Sequence, residues 1–499
     1  MSHLRNATPY RAIGRILCAT LLLGLLTACN ERIAQRQIAL SECRFSKLPT
    51  AAQCGVVEVP EDWSKQGGRR LGIAVVVLPA NTLGPKPDPL FMLAGGPGQS
   101  AEAIVPFAAQ LSGVRKNRDI VLIDPRGSGK SVPLNCAALT LRDPFDALLE
   151  DAVSDAVAHR CLTELRDTGN ADIAQYTTLS FVADLEQIRA ALGYDRINLW
   201  GGSYGTRVAQ EYLRRHPQRV RSVVLDSVAP PKMRLSLDPW LSRERALAEV
   251  LAQCASDAAC ERAYPSLESS LARIQAALDG SRQVSVIDPR TGNTREVPLS
   301  YDQVIGALQA LVYAPELASL IPPLIARAVA GDYAPLFAAA MMFTDDLSRT
   351  MNFALYYAVT CAEDAPRVPP AEAEQAFATL RASTLAEHSL AACDGWPRPP
   401  MPANFYAPVV SDTPVLILSG GLDPVTPPAN GELVASTLAN SRHVIAAGYG
   451  HIVSPHACAP RLIEAFIDDA GFVSLPKSCV DYLTASKPPA PFSSLLEPR

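Results

Sequence analysis

The chain has 499 residues, 48 % of them apolar and 19 % charged, with a net charge of −5. That length and apolar content support a large core and exclude wholesale disorder. The mild acidity, with no basic patch, excludes nucleic acid as a partner, and 42 prolines imply many loops.

Residues 1–28 read as a leader. Arg5, Arg11 and Arg15 precede the apolar run "ILCATLLLGLLTA", which is too short to span a membrane comfortably. The run ends in Leu26-Thr27-Ala28-Cys29, which resembles a bacterial lipobox. That resemblance implies cleavage before Cys29, lipidation of Cys29, and a membrane-anchored protein in the bacterial periplasm or cell envelope. No other segment has the length and apolarity to cross a bilayer.

Residues 30 to 60 read as a linker and an irregular entry segment. "RRLGIAVVVLPA" (69–80), "PLFMLAGGPG" (89–98) and "DIVLIDPRGSG" (119–129) read as strands. "GSGKS" (127–131) mimics the end of a phosphate-binding loop, but Asp124 stands where that pattern needs glycine, and no helical run follows. "TLSFVADLEQIRAALG" (178–193) has helical spacing. "RINLW" (196–200) reads as a strand and "TRVAQEYLRR" (206–215) as a helix, so Gly201-Gly202-Ser203-Tyr204-Gly205 must turn sharply between them. This is the context of the G-x-S-x-G nucleophile elbow of α/β-hydrolases. "RVRSVVLDSVAPP" (219–231) is a further strand.

Residues 232–405 are mostly helical and Ala/Leu-rich, apart from a hairpin over 282–300. Strands return in "TPVLILSGGLDPVTPP" (413–428) and "SRHVIAAGYGHIV" (441–453). Strands alternating with helices predict an α/β fold with a mostly parallel sheet covered on both faces. Residues 29–231 would form its first part, 232–405 a helical lid insertion, and 406–499 its C-terminal part.

Ten of the 12 cysteines follow Cys29: Cys43, Cys54, Cys136, Cys161, Cys254, Cys260, Cys361, Cys393, Cys458 and Cys479. An even number in an exported chain predicts disulfides, and their spacing favours closure of local loops, each cysteine with the next in the chain. Their spacing matches no zinc pattern, so no structural metal and no cofactor are expected.

A serine hydroxyl needs a base, and the base needs an orienting acid. In this fold the chain order is Ser, Asp or Glu, His. His451, in the Gly-flexed "GYGHIVSP" near the C-terminus, is the expected base, with His456 its competitor. Asp423, at the end of "LILSGGLD", is the expected acid, and Asp226, ending "VVLD", the alternative. The amides of Tyr204 and of Gly96 in "AGGPGQS" are the expected oxyanion donors, since Pro97 has no N–H.

Together "GGPGQS", "DPRGSGKS", "WGGSYGT", "GGLDPVTP" and "GYGH" resemble exported tripeptidyl aminopeptidases and their proline-iminopeptidase relatives, with a TAP-like C-terminal region. The resemblance implies an α/β-hydrolase serine peptidase with Ser203, Asp423 and His451 as triad. The implied substrate is a peptide with a free N-terminus, whose α-amino group an acid such as Glu363 in "VTCAED" would hold. Ala94 stands where iminopeptidase relatives often carry histidine, which weighs against strict proline specificity. The rivals are a carboxylesterase of the same fold and an unreactive surface binding lipoprotein.

Overall fold

The structure is a computed structural model that describes residues 38–140, 155–288 and 290–490. The predicted leader and Cys29 lie outside the described residues.

Among the described residues nine strands form the main sheet: β1 (Ser41–Cys43), β2 (Ala52–Pro60), β3 (Arg70–Leu78), β4 (Leu90–Leu93), β5 (Ile120–Ile123), β6 (Ile197–Gly202), β7 (Val220–Asp226), β10 (Val415–Gly420) and β11 (Ser441–Ala446). Their order is β1-β2-β3-β5-β4-β6-β7-β10-β11. β1, β2 and β3 pair antiparallel, as do β3 and β5, and every pairing from β5 to β11 is parallel. A separate hairpin joins β8 (Arg282–Ile287) to β9 (Thr294–Leu299).

The entry segment differs from its irregular reading, because β2 is a nine-residue strand paired with β3 over eight positions. Its alternation of buried and exposed residues is imposed by β3 rather than by strong local apolarity. The strand predicted over 89–98 stops at Leu93, and the glycines beyond it form a turn.

The central strands are buried on both faces. Leu90 and Met92 point into a core shared with Trp200, Leu416, Leu418 and Phe466. Phe91 and Leu93 point into the other, with Val182, Val208 and Tyr212. This is the two-residue period of a strand covered on both sides.

Between β7 and β10 the chain is helical apart from the β8–β9 hairpin. These helices bury an apolar cluster of their own, centred on Leu247, Leu251, Val304, Leu308 and Phe337. The Cys43–Cys54, Cys136–Cys161, Cys254–Cys260, Cys361–Cys393 and Cys458–Cys479 disulfides are formed. No helix among the described residues is long and apolar enough to cross a membrane.

From β4 the chain crosses to β5 on one side, then returns to β6 on the other. The gap between the carboxyl ends of β4 and β6 is therefore a topological switch point, where parallel sheets place their ligands.

Candidate active site

β6 runs into the helix Tyr204–Arg215 with Ser203 alone at the bend. Ser203 has φ 54° and ψ −123°, a conformation costly for any residue with a side chain. The close packing of helix on strand enforces it. A Cβ on Gly205 would lie 2.2 Å from the carbonyl oxygen of Leu93, so only glycine lets the helix start against the end of β4. The Ser203 amide donates to the Asp226 carbonyl at 2.9 Å, fixing the bend to β7.

The Gly-Pro turn after β4 comes against the same serine. A Cβ on Gly95 would lie 3.1 Å from that of Ser203. The turn is held by the helical insert: Asn352 N–H donates to the Gly98 carbonyl, and Ser100 N–H to that of Thr350, both at 2.9 Å. Gly95, Gly96 and Ser203 all line one cavity.

Asp423 lies just past β10, fully buried. Its Oδ1 accepts from Val425 N–H and Thr426 N–H, each at 2.8 Å, and its Oδ2 from Thr426 Oγ1–H at 2.9 Å. His451 Nδ1 lies 3.0 and 2.9 Å from the two oxygens. Burial pushes the Asp423 carboxyl up, but the imidazole and these donors outweigh it and hold the group below its ordinary value. With Nδ1 committed to Asp423, Nε2 is the nitrogen left for the cavity.

The loop carrying His451 is tied to three places. His451 N–H donates to the Tyr313 carbonyl at 3.1 Å, and the Tyr313 ring meets the imidazole edge-on at 5.5 Å. Ile452 N–H donates to Ser227 Oγ at 2.8 Å. Val453 and Ser454 N–H donate to the Asp226 carboxylate at 3.0 and 2.7 Å. Asp226, the alternative acid, therefore contacts the histidine loop's backbone rather than the imidazole. Burial pushes its carboxyl up while these hydrogen bonds pull it down, with a net rise. His456 lines the cavity too, beside the Tyr449 ring, and has no carboxylate at ion-pair distance among the described residues.

The cavity holds about 730 Å³. One wall is the sheet edge with Ser203 and His451, and the opposite wall is the helical insert, through Trp240, Tyr313 and Tyr356. The lining is mainly apolar and contains no Asp or Glu among the described residues.

Glu363, the residue expected to hold the substrate amine, does not line this cavity. The carboxylate is fully buried at the end of the helix Phe353–Glu363. It accepts from Thr178 N–H at 2.6 Å and Thr178 Oγ1–H at 2.8 Å, with Arg207 Nη1 at 3.7 Å. Burial raises its pKa to about 7 against the opposing pull of Arg207. Tyr204 turns its hydroxyl to the same group, 2.7 Å from Thr178 Oγ1, so only its backbone remains near Ser203.

Thr426, Ser227 and Arg243 were not legible as site residues. Thr426 had a local signal, a hydroxyl three residues after the acid, whereas the other two reach the site only through the fold.

An alpha/beta hydrolase fold model matches residues 88–302, and a TAP-like protein model matches residues 378–479. The serine protease Hip1 of Mycobacterium tuberculosis is 27 % identical over 464 residues, covering 85 % of this chain and 88 % of that one. The tripeptidyl aminopeptidase of Streptomyces lividans is 29 % identical over 266 residues, covering 46 % and 50 %. Among solved structures, the proline iminopeptidase of Mycobacterium smegmatis aligns with a TM-score of 0.44 at 15 % identity, over 83 % of this chain and 98 % of that one. The sheet order and the two matched models agree: the chain has the α/β-hydrolase fold with a TAP-like C-terminal region, and it is similar to serine hydrolases of that fold.

Proposed function

We propose that the protein is an exported serine aminopeptidase in which Ser203, His451 and Asp423 act as the triad. The observation that carries this reading is the Asp423–His451 pair at 2.9 Å, opening into the cavity that Ser203 enters from its strained bend. Among the described residues Ser203 Oγ has no hydrogen-bond partner, and its contact to Nε2 forms once substrate fills the cavity.

His451 Nε2 takes the Ser203 proton as Oγ attacks the scissile carbonyl. The oxyanion is received by the amides of Tyr204 and Gly96. Imidazolium, stabilised by Asp423, passes the proton to the leaving amine, and the C–N bond breaks to leave an acyl-enzyme. Water, deprotonated by the same imidazole, then cleaves the ester and restores Ser203.

Peptide as substrate and cleavage near a free N-terminus are supported by the relatives named serine protease and tripeptidyl aminopeptidase. Released products would be tripeptides or single residues. The insert, residues 232–405, is the lid that limits access. Export is supported by five disulfides, which persist in oxidising compartments. The lipid anchor at Cys29 is part of the same proposal.

One test uses pairs of p-nitroanilide peptides with free and acetylated N-termini. Turnover lost on acetylation supports the aminopeptidase. A carboxylesterase is the second reading, favoured by the apolar lining without a carboxylate to hold an amine. Equal turnover of blocked and free peptides, or faster turnover of simple esters, would establish it.

A further inference from the structure

The cavity contains one permanently charged side chain among its described lining residues, and it is cationic. Arg243 sits one turn into the helix Asp238–Ser256, three residues after Trp240 and on the same face. Its guanidinium stacks on the Trp240 ring at 5.0 Å and faces the Tyr313 ring at 5.8 Å. Nη2 donates to Tyr313 Oη at 2.9 Å. Nε is buried without a partner, and no carboxylate lies at ion-pair distance among the described residues. A guanidinium has five N–H donors, and among the described residues only one of those on Arg243 is bonded.

Leaving a cation without a counter-charge against apolar and aromatic walls is costly. Here the Trp240 and Tyr313 rings flank the guanidinium, and Nη1 and the second hydrogen of Nη2 have no partner among the described residues. Tyr313 links it to the chemistry, because the same residue flanks the His451 ring and accepts the His451 N–H through its carbonyl. A ligand that bonds to Arg243 is therefore oriented relative to Ser203 and His451.

We infer that Arg243 recognises a carboxylate of the substrate, so that the enzyme prefers peptides that place an anionic group in the insert side of the cavity. The inference rests on Ser203 being the nucleophile and adds the substrate's charge class. The carboxylate comes either from an Asp or Glu side chain or from the C-terminus of a short peptide. A bidentate guanidinium–carboxylate pair is worth about tenfold to hundredfold in discrimination against a neutral isostere.

The experiment compares Glu with Gln at each of the three positions before the scissile bond, and free-acid with amidated C-termini, in the wild type and in Arg243→Gln and Arg243→Glu. The expected wild-type preference for the anion is about tenfold or more in kcat/KM. It collapses to near unity in R243Q and inverts toward Lys-containing peptides in R243E. The arm that shows the preference identifies which carboxylate is read. A residue that merely props the cavity open would lower both members of each pair alike and leave their ratio at the wild-type value. That result, or a wild-type ratio near unity in every arm, overturns the inference. Calorimetric binding of the same pairs to Ser203→Ala reads the preference without turnover. Fluorophosphonate labelling of the wild type reads the nucleophile separately, so failure of one is distinguishable from failure of the other.

Discussion

Asp226→Asn is the substitution whose outcome follows most directly from the geometry. The carboxylate accepts two backbone N–H groups, from Val453 at 3.0 Å and Ser454 at 2.7 Å, and so closes the loop that presents His451. Asparagine supplies one acceptor and turns an NH2 toward the other N–H. The change removes one charge-assisted hydrogen bond, about 1.5–3 kcal/mol, and strands a buried N–H, about 1–3 kcal/mol. Relief of the buried charge offsets part of this, leaving about 2–4 kcal/mol against the native loop. At about 1.4 kcal/mol per tenfold, kcat/KM should fall by roughly 30- to 1,000-fold. Ser227→Ala removes one neutral bond, that to Ile452 N–H, and should cost only about fivefold. The assay is kcat/KM on one free-amine peptide anilide, with thermal unfolding alongside. An Asp226→Asn enzyme within threefold of wild type, with unchanged melting, would refute the view that this carboxylate holds the histidine loop.

Other consequences can be checked on the same preparations. Gly205→Ala forces a Cβ to within 2.2 Å of the Leu93 carbonyl oxygen and 2.7 Å of that of Ala94. A loss of about 3 kcal/mol in urea unfolding is expected, and a loss under about 0.5 kcal/mol would contradict the packing described. Glu363 has its folded pKa raised from 4.5 to about 7. Its contribution is full below the unfolded value and is lost as pH rises through 7. The melting difference between wild type and Glu363→Gln should therefore shift against the wild type from pH 4.5 to 8, and a pH-independent difference would contradict this. Removing the Cys361–Cys393 bridge, which spans 32 residues, with paired serines should cost about 3 kcal/mol in unfolding free energy.

Much of the fold could be read from local pattern. β3, β6, β7, β10 and β11 fall within the stretches read as strands, and Ser203, Asp226, Asp423 and His451 lie at or beyond the carboxyl ends of β6, β7, β10 and β11. The cysteines paired with their neighbours in sequence because each pair closes a short loop. β2 was not legible, since its pattern is set by pairing with β3 rather than by a strong run of its own. Glu363 was placed by motif at the substrate. Only the packing of its helix against Thr178 and Arg207 reveals that its carboxylate turns into the interior. Arg243 sits in "LSRERALAEV", part of the Ala/Leu-rich helical text, where nothing local marks it as a cavity residue. Its place between two aromatic rings depends on Tyr313, 70 residues further along the chain. Side chains positioned by such distant neighbours leave no local periodicity to read.

Activation of the hydroxyl at the β6 bend by the Asp423-oriented imidazole is tested by mass spectrometry of the protein treated with a fluorophosphonate. A single adduct on Ser203 is expected, its formation slowed by orders of magnitude in His451→Ala and Asp423→Asn. An adduct on another residue, or labelling of Ser203 at the same rate in all three proteins, would contradict it.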